Sequence, residues 1–86
     1  MSDVAIEAAI RNFLLEEILY DRQLKSLEPD ENLIENGLMD SLAILKVVGF
    51  CEETFGIAIP DHEVLPDNME SVRAIAALVE KVRAAK

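Results

Sequence analysis

Residues 21–40 show no sustained hydrophobic periodicity, although strongly apolar stretches precede and follow them. An aperiodic connection of about 20 residues is unusual in a compact domain unless it is held against the core or has a function. Glu35-Asn36-Gly37 supplies a turn, in which the glycine suits a positive φ. We therefore predict an ordered loop, held to the core by its spaced apolar residues: Leu24, Leu27, Leu33 and Ile34.

Apolar residues at helical spacing predict three main helices around this loop. The first covers about residues 3–20, with Asp3 as its N-cap. The second covers residues 41–55 and is ended by Gly56. The last begins at Ser71, which is also a suitable N-cap.

The chain between the second and last helices should cross the bundle and include one short helical turn. Ile57 and Ile59 alternate in an extended segment and should point inward. Pro60 and Pro66 bracket the short turn, which Asp61 would cap. We expect an all-α bundle of three main helices plus one short helix, with a long loop between the first and second helices, as one domain over residues 1–86. The predicted core residues of the three helices are Ile6, Ile10, Phe13, Leu14, Ile44, Val47, Val48, Cys51, Phe55, Val72, Ile75, Ala76, Val79 and Val82. On the first helix, Leu15 and Leu19 fall on the side opposite these core residues.

Composition supports a helical bundle and limits the range of partners. Hydrophobic residues make up 51% of the chain and aromatic residues only 5%, a mixture that suits helices more than sheets. The formal net charge of −9 disfavours nucleic acid and anionic membranes and favours basic patches on other proteins. A single cysteine fits a reducing compartment, and neither a signal peptide nor an apolar run of about 20 residues is evident. We expect a soluble, cytoplasmic monomer.

The sequence offers no convincing group of residues for catalysis or metal binding. Cys51 falls on the predicted core face and His62 in the proline-bracketed segment, so we do not expect a Cys–His pair. One cysteine and one histidine cannot form a structural zinc site. Asp30-Glu31-Asn32 is like the beginning of a calcium loop, but Glu35 and Ser41 stand where such a loop needs glycine and a bidentate glutamate. We predict no catalytic residue and no metal site.

Ser41 stands at the end of the long loop, where the second helix begins. A hydroxyl there lies beside free backbone N–H groups and the positive end of a helix dipole, which together favour a phosphate. No general base is found near the serine, so it is a candidate for modification, and a hydrolase that uses it is disfavoured. Taken alone, Asp40-Ser41 is also a common helix start in which either residue caps.

Leu42, Leu45 and Gly49 fall opposite the predicted core face of the second helix, beside Lys46. Scattered surface leucines are common, so one interpretation gives these residues no function. The other interpretation is an apolar docking strip next to Ser41. The pattern alone leaves both open.

Three segments of the chain carry the signature of a known family. They are Gly37-Leu38-Met39-Asp40-Ser41-Leu42, Glu53-Thr54-Phe55-Gly56-Ile57-Ala58-Ile59-Pro60-Asp61, and Met69-Glu70-Ser71-Val72 with Ile75. The first resembles the Asp-Ser-Leu signature of acyl carrier proteins, the phosphopantetheine-binding carrier domains. The second resembles the segment that closes their second helix, and the third resembles the start of their last helix. The resemblance covers nearly the whole chain, in the right order.

In that family the signature serine carries 4′-phosphopantetheine, which a phosphopantetheinyl transferase adds from coenzyme A. The resemblance therefore implies that Ser41 is the attachment site and that Asp40 helps to hold the magnesium of the transferase. It implies a carrier without catalytic activity, which holds acyl or aminoacyl groups as thioesters in lipid or secondary metabolite biosynthesis. Its partners would be the transferase, a loading enzyme and downstream transferases, which would dock on the second helix at Leu42, Leu45, Lys46 and Gly49.

The chain departs from fatty-acid-synthase carriers after the Asp-Ser-Leu triplet. Ala43 and Lys46 stand where those carriers usually have acidic residues, which should weaken pairing with basic docking patches. Gly49 replaces a larger apolar residue, at a cost of about 1 kcal/mol in helix propensity relative to alanine. We expect a specialised, free-standing carrier of an unusual acyl group or an amino acid, which Gly37-Leu38-Met39 also favours by resemblance to aminoacyl carriers. The alternative is an unmodified acidic adaptor that binds proteins through Leu42 and Leu45.

Overall fold

The computed structural model describes residues 3–20 and 27–85, which form an all-α bundle, as predicted. Helix α1 is Asp3–Phe13 and continues into a π-helical turn, Leu14–Ile18. Helix α2 is Ser41–Phe55, and helix α3 is the short Pro66–Met69. A 3₁₀ turn, Asp61–Glu63, precedes α3, and helix α4 is Val72–Ala84. The predicted loop anchor Leu24 lies outside the described residues, as does the side chain of the predicted cap Asp3.

The π-helical turn corrects the prediction that Leu19 lies opposite the buried face of the first helix. The backbone N–H of Leu19 donates to the carbonyl of Leu14 at 2.7 Å, a bond that spans five residues. The wider turn places Leu19 above Leu14 on the same side, whereas α-helical spacing would rotate it away. Both leucines are buried, together with Ile6 and Ile10. Phe13 is half-buried at the edge of the core.

Helix α2 begins and ends where the sequence predicts. Asp40 is its N-cap, and its carboxylate accepts a hydrogen bond from the backbone N–H of Ala43 at 2.9 Å. Gly56 ends the helix in the left-handed region, at φ 65°, which glycine adopts without steric cost. Both signals are local, so they do not depend on how the helices pack.

The buried side of α2 differs from the predicted one. Its buried residues are Ala43, Val47 and Cys51, which follow each other at intervals of four. The predicted core residues Ile44, Val48 and Phe55 pack against the core but are only half-buried. Small side chains along the centre of the contact let α2 approach the rest of the bundle, while the bulkier residues fill the flanks.

The loop before α2 is ordered in its described part, residues 27–40. Leu27 and Leu33 are buried, and Ile34 is half-buried, as predicted. Gly37 has a φ of 73°, which confirms the turn. The loop is also bonded to the segment between α3 and α4, because the N–H of Leu33 donates to the carbonyl of Glu70 at 2.6 Å.

The segment from α2 to α4 follows the prediction in part. Ile57 and Ile59 are buried, and the Ser71 hydroxyl caps α4 by accepting from the N–H of Ala74 at 3.0 Å. The prediction that Asp61 caps the short turn is wrong, because Pro60 precedes that turn and no side chain caps it. Helix α3 was not predicted. On α4 the predicted core residues Val72, Ile75, Ala76 and Val79 are buried, Val82 is half-buried, and Leu78 is buried in addition.

Among residues 3–20 and 27–85, no helix combines the length and the apolarity that a membrane crossing requires.

Candidate functional site

The side chain of Ser41 projects from the first residue of α2 and is exposed. Because the Asp40 carboxylate already caps the helix by binding the N–H of Ala43, the Ser41 hydroxyl is not needed for capping. Within the described part of the chain, neither this hydroxyl nor the N–H groups of Ser41 and Leu42 have a hydrogen-bond partner. The end of the loop thus presents an unengaged hydroxyl beside unengaged donors.

Ser71 shows what a purely structural serine looks like in the same fold. It also precedes a helix, but it is buried, and its hydroxyl accepts a hydrogen bond from the N–H of Ala74. Ser41 differs from it in exposure and in hydrogen bonding. One helix-starting serine therefore stabilises its helix, whereas the hydroxyl of the other is exposed and unengaged.

The outer face of α2 next to Ser41 is apolar and exposed. Leu42 and Leu45 have 61% and 65% of their surface accessible and, three residues apart, lie on the same side of the helix. Lys46 and Gly49 are exposed on the same helix, so the four predicted docking residues all reach the surface. Ala43 does not, because it is buried in the core. Ala43 therefore adds no exposed surface to this face, whereas Lys46 adds a positive charge to it.

Cys51 and His62 do not form a nucleophile and base pair. Cys51 is fully buried on α2, and burial, with a smaller contribution from Glu52, raises the pKa of its thiol to about 12. His62 is exposed in the 3₁₀ turn. Cys51 is a small apolar core residue. In the part of the chain that the structure describes, no group of three or more potential metal ligands comes together.

Residues 12–79 match the family described as the phosphopantetheine attachment site. The chain belongs to this family. It is 36% identical over 68 residues to a D-alanyl carrier protein of Abiotrophia defectiva, a match that covers 79% of this chain and 85% of the relative. It is 28% identical over 79 residues to the probable acyl carrier protein PigG of Serratia sp. (strain ATCC 39006), covering 92% and 90%. The solved structure of KstB-PCP(apo) is similar at a TM-score of 0.73 and 34% identity, covering 95% of this chain and 90% of that one.

Membership confirms the predicted role of the protein. It is a carrier without catalytic activity, which holds acyl or aminoacyl groups on covalently attached 4′-phosphopantetheine. Such a carrier works with enzymes that load its cargo and with enzymes that use it. The start of α2 fits this group, because an exposed hydroxyl offers a point of attachment and unengaged N–H groups at a helix N-terminus favour its phosphate.

The structure of the carrier also shows a cavity that sequence reasoning missed. It has a volume of about 230 Å³ and lies between the π-helical turn and the beginning of α2. Asp40 and Leu42, the two neighbours of Ser41, both line it. No sequence signal could have revealed it, because it depends on how α1 and α2 are placed relative to each other. Its remaining lining includes Glu17, Ile18, Leu38, Ala43 and Lys46.

Proposed function

We propose that Ser41 is the residue of this carrier that bears 4′-phosphopantetheine. The observation that carries the proposal is the unengaged, exposed hydroxyl of Ser41 beside a helix start that Asp40 already caps. Modification of Ser41 therefore costs the fold no hydrogen bond. The family match over residues 12–79 includes this position.

In the transfer, the Ser41 oxygen forms a bond to the phosphorus that links pantetheine to the nucleotide in coenzyme A. The pyrophosphate bond breaks, adenosine 3′,5′-bisphosphate leaves, and the hydroxyl proton passes to a base of the transferase. Asp40 would help to hold the magnesium of the transferase, while one of its carboxylate oxygens keeps its bond to Ala43. When bound, the group supplies a terminal thiol that holds the cargo as a thioester.

The docking face of the carrier is the exposed side of α2 that follows Ser41. Leu42 and Leu45 supply apolar surface for a partner to bury. Lys46 gives this face a cation, so we assign it partners that have an acidic or neutral group opposite. The phosphopantetheinyl transferase, the loading enzyme and the downstream transferases would all use this face in turn.

The cargo that fits best is an amino acid or a specialised acyl group. One relative supports this assignment, the D-alanyl carrier protein at 36% identity. Lys46 on the docking face also separates this carrier from fatty-acid-synthase carriers. We assign residues 1–86 to a single carrier domain that acts as a cytoplasmic monomer. Intact mass spectrometry of the protein purified from its own source would reveal the cargo directly.

The attachment is tested by incubating the protein with coenzyme A, magnesium and a broad-specificity phosphopantetheinyl transferase. We expect the intact mass to rise by one phosphopantetheine, and Ser41→Ala to abolish the rise. The matched control is Ser71→Ala, which removes the other described helix-starting serine and should leave loading intact at a cost of about 1 kcal/mol in stability. An unmodified wild type, or loading of Ser41→Ala, would contradict the proposal.

A further inference from the structure

We propose that, in the free carrier, the phosphopantetheine arm rests in a furrow between α1 and α2, with its phosphodiester held by Lys46. This inference rests on the proposed attachment at Ser41. We call the site the α1–α2 furrow; it consists of the cavity lined by Asp40 and Leu42 and of the cavity lined by Phe13, Gly49, Phe50 and Glu53.

The furrow consists of two adjoining cavities on the same side of the bundle. The first, of about 230 Å³, contains the neighbours of Ser41, Asp40 and Leu42. The second, of about 440 Å³, continues along the helices as far as Glu53. Glu17 and Lys46 line both cavities, so the two parts meet between these side chains.

The furrow has the length that the arm requires. It follows α2 from the start of the helix to Glu53, a rise of about 18 Å at 1.5 Å per residue. An extended phosphopantetheine arm has a comparable length. The arm would begin at Ser41 and lie along α2, without having to enter the core.

The walls of the furrow match the chemistry of the arm. The rings of Phe13 and Phe50 stack with their centroids 4.2 Å apart and form an apolar wall between α1 and α2. Gly49 leaves the furrow open, because a Cβ atom built on it would meet nothing within 4 Å. Apolar walls suit the methyl and methylene groups of the arm, and the exposed rim lets its two amides keep their bonds to water.

The positive charge of Lys46 favours binding of the phosphodiester, which is the end of the arm attached to Ser41. Lys46 is the only basic residue in the α2 sequence, and it forms no ion pair with any residue that the structure describes. It lines the same cavity as Asp40 and Leu42, the residues on either side of Ser41. Glu17 and Asp40 line the same cavity, so Lys46 is the one cation among the described residues of this lining that can complement the phosphodiester.

The position of the arm can be mapped with a nitroxide on its terminal thiol. The buried Cys51 should stay unlabelled, so the label reports on the arm alone. In amide NMR spectra of the labelled holo protein, we expect at least twofold stronger broadening for residues 14–18 and 49–53 than for residues 57–63. Lys46→Glu should remove this difference, whereas Arg83→Glu, the same change of charge on α4, should keep it.

A second variant tests the space of the furrow instead of its charge. Gly49→Leu places a side chain in the open part of α2 and should also displace the label from residues 14–18. Broadening confined to residues 40–43, broadening centred on α3, or a pattern unchanged by Lys46→Glu would overturn the furrow while leaving attachment at Ser41 intact. Failure of the mass to rise would overturn the attachment, and with it the furrow.

Discussion

The Asp40 carboxylate binds the backbone N–H of Ala43 at 2.9 Å and thereby caps α2 across Ser41, whose own hydroxyl stays unengaged. The aspartate has a structural role, to which our proposal adds assistance to the phosphopantetheine transfer. One carboxylate oxygen holds the helix start, and the charge of the carboxylate would serve the transfer. The two roles can be separated, because they depend on different properties of the side chain.

Asp40→Asn should separate capping from charge. Asparagine caps helices about as well as aspartate, so the melting temperature should stay close to that of the wild type. The rate of phosphopantetheine transfer should fall at least tenfold, because the amide is a poor magnesium ligand. Asp40→Ala should lose both the helix cap and the negative charge, so its transfer rate should fall and its stability should decrease by about 1 kcal/mol. Equal transfer rates for Asp40→Asn and wild type would show that the charge has no part in loading.

Leu45→Asp should weaken docking without unfolding the carrier. Leu45 is 65% exposed, so the substitution removes little from the core, but it puts a charge on the face that partners would bury. We expect at least a tenfold rise in the KM for the carrier in transferase kinetics. Leu65→Asp is the matched control, because Leu65 is also exposed, at 49%, but lies before α3. A similar rise for both variants would mean that net charge, and not the α2 face, controls docking.

The thiol of Cys51 should be inert in the native apo protein. Burial raises its pKa to about 12, so a thiol reagent at pH 8 should modify it only after unfolding. Loading should add one fast-reacting thiol, that of the arm. A fast-reacting thiol in apo protein would contradict the burial of Cys51.

The same pKa shift makes stability depend on pH at the alkaline end. The unfolded thiol loses its proton near its ordinary pKa of 9, while the folded one keeps it up to about 12. The contribution of the buried thiol is therefore complete below pH 9 and is lost as the pH rises from 9 towards 12. Cys51→Ala should be less stable at neutral pH, and its stability should fall less steeply in that window.

Glu63 should contribute to acid sensitivity. The hydrogen bond from Lys81, with an Nζ–Oε2 distance of 2.6 Å, holds the pKa of the Glu63 carboxyl below its ordinary value of 4.5. This contribution is present above pH 4.5 and is lost as the pH falls through the lower, folded pKa. The melting temperature of Glu63→Gln should therefore fall less between pH 5 and pH 3 than that of the wild type. Glu80→Gln, which removes the longer 3.7 Å pair with Arg83, should follow the wild type.

The sequence predicted the limits of α2 because they are set by local chemistry. Asp40 and Gly56 fix them through a cap and a left-handed residue, and neither depends on distant parts of the chain. The buried face was harder to predict. A helical wheel gives weight to large apolar residues such as Ile44 and Phe55, whereas the real line of contact passes through Ala43, because small side chains allow close packing.

The other features that the sequence does not predict depend on how whole helices are shaped and placed. Nothing in the local sequence distinguishes the π-helical turn from an α-helical one. Regular α-helical spacing therefore predicts Leu19 on the side away from the core, whereas the structure buries it. The candidate attachment site Ser41 follows from the family signature. The α1–α2 furrow does not, because it exists only once Glu17 and Lys46 are brought together from two helices.

The loop that leads to Ser41 is joined to residues 70–73 by two backbone hydrogen bonds. Leu33 donates to the carbonyl of Glu70, and Arg73 donates from its backbone N–H to the carbonyl of Pro29 at 3.0 Å. These bonds link the chain before the attachment point to the opposite end of the sequence. A force applied at Ser41 would therefore pass through the loop to α4 as well as directly to α2.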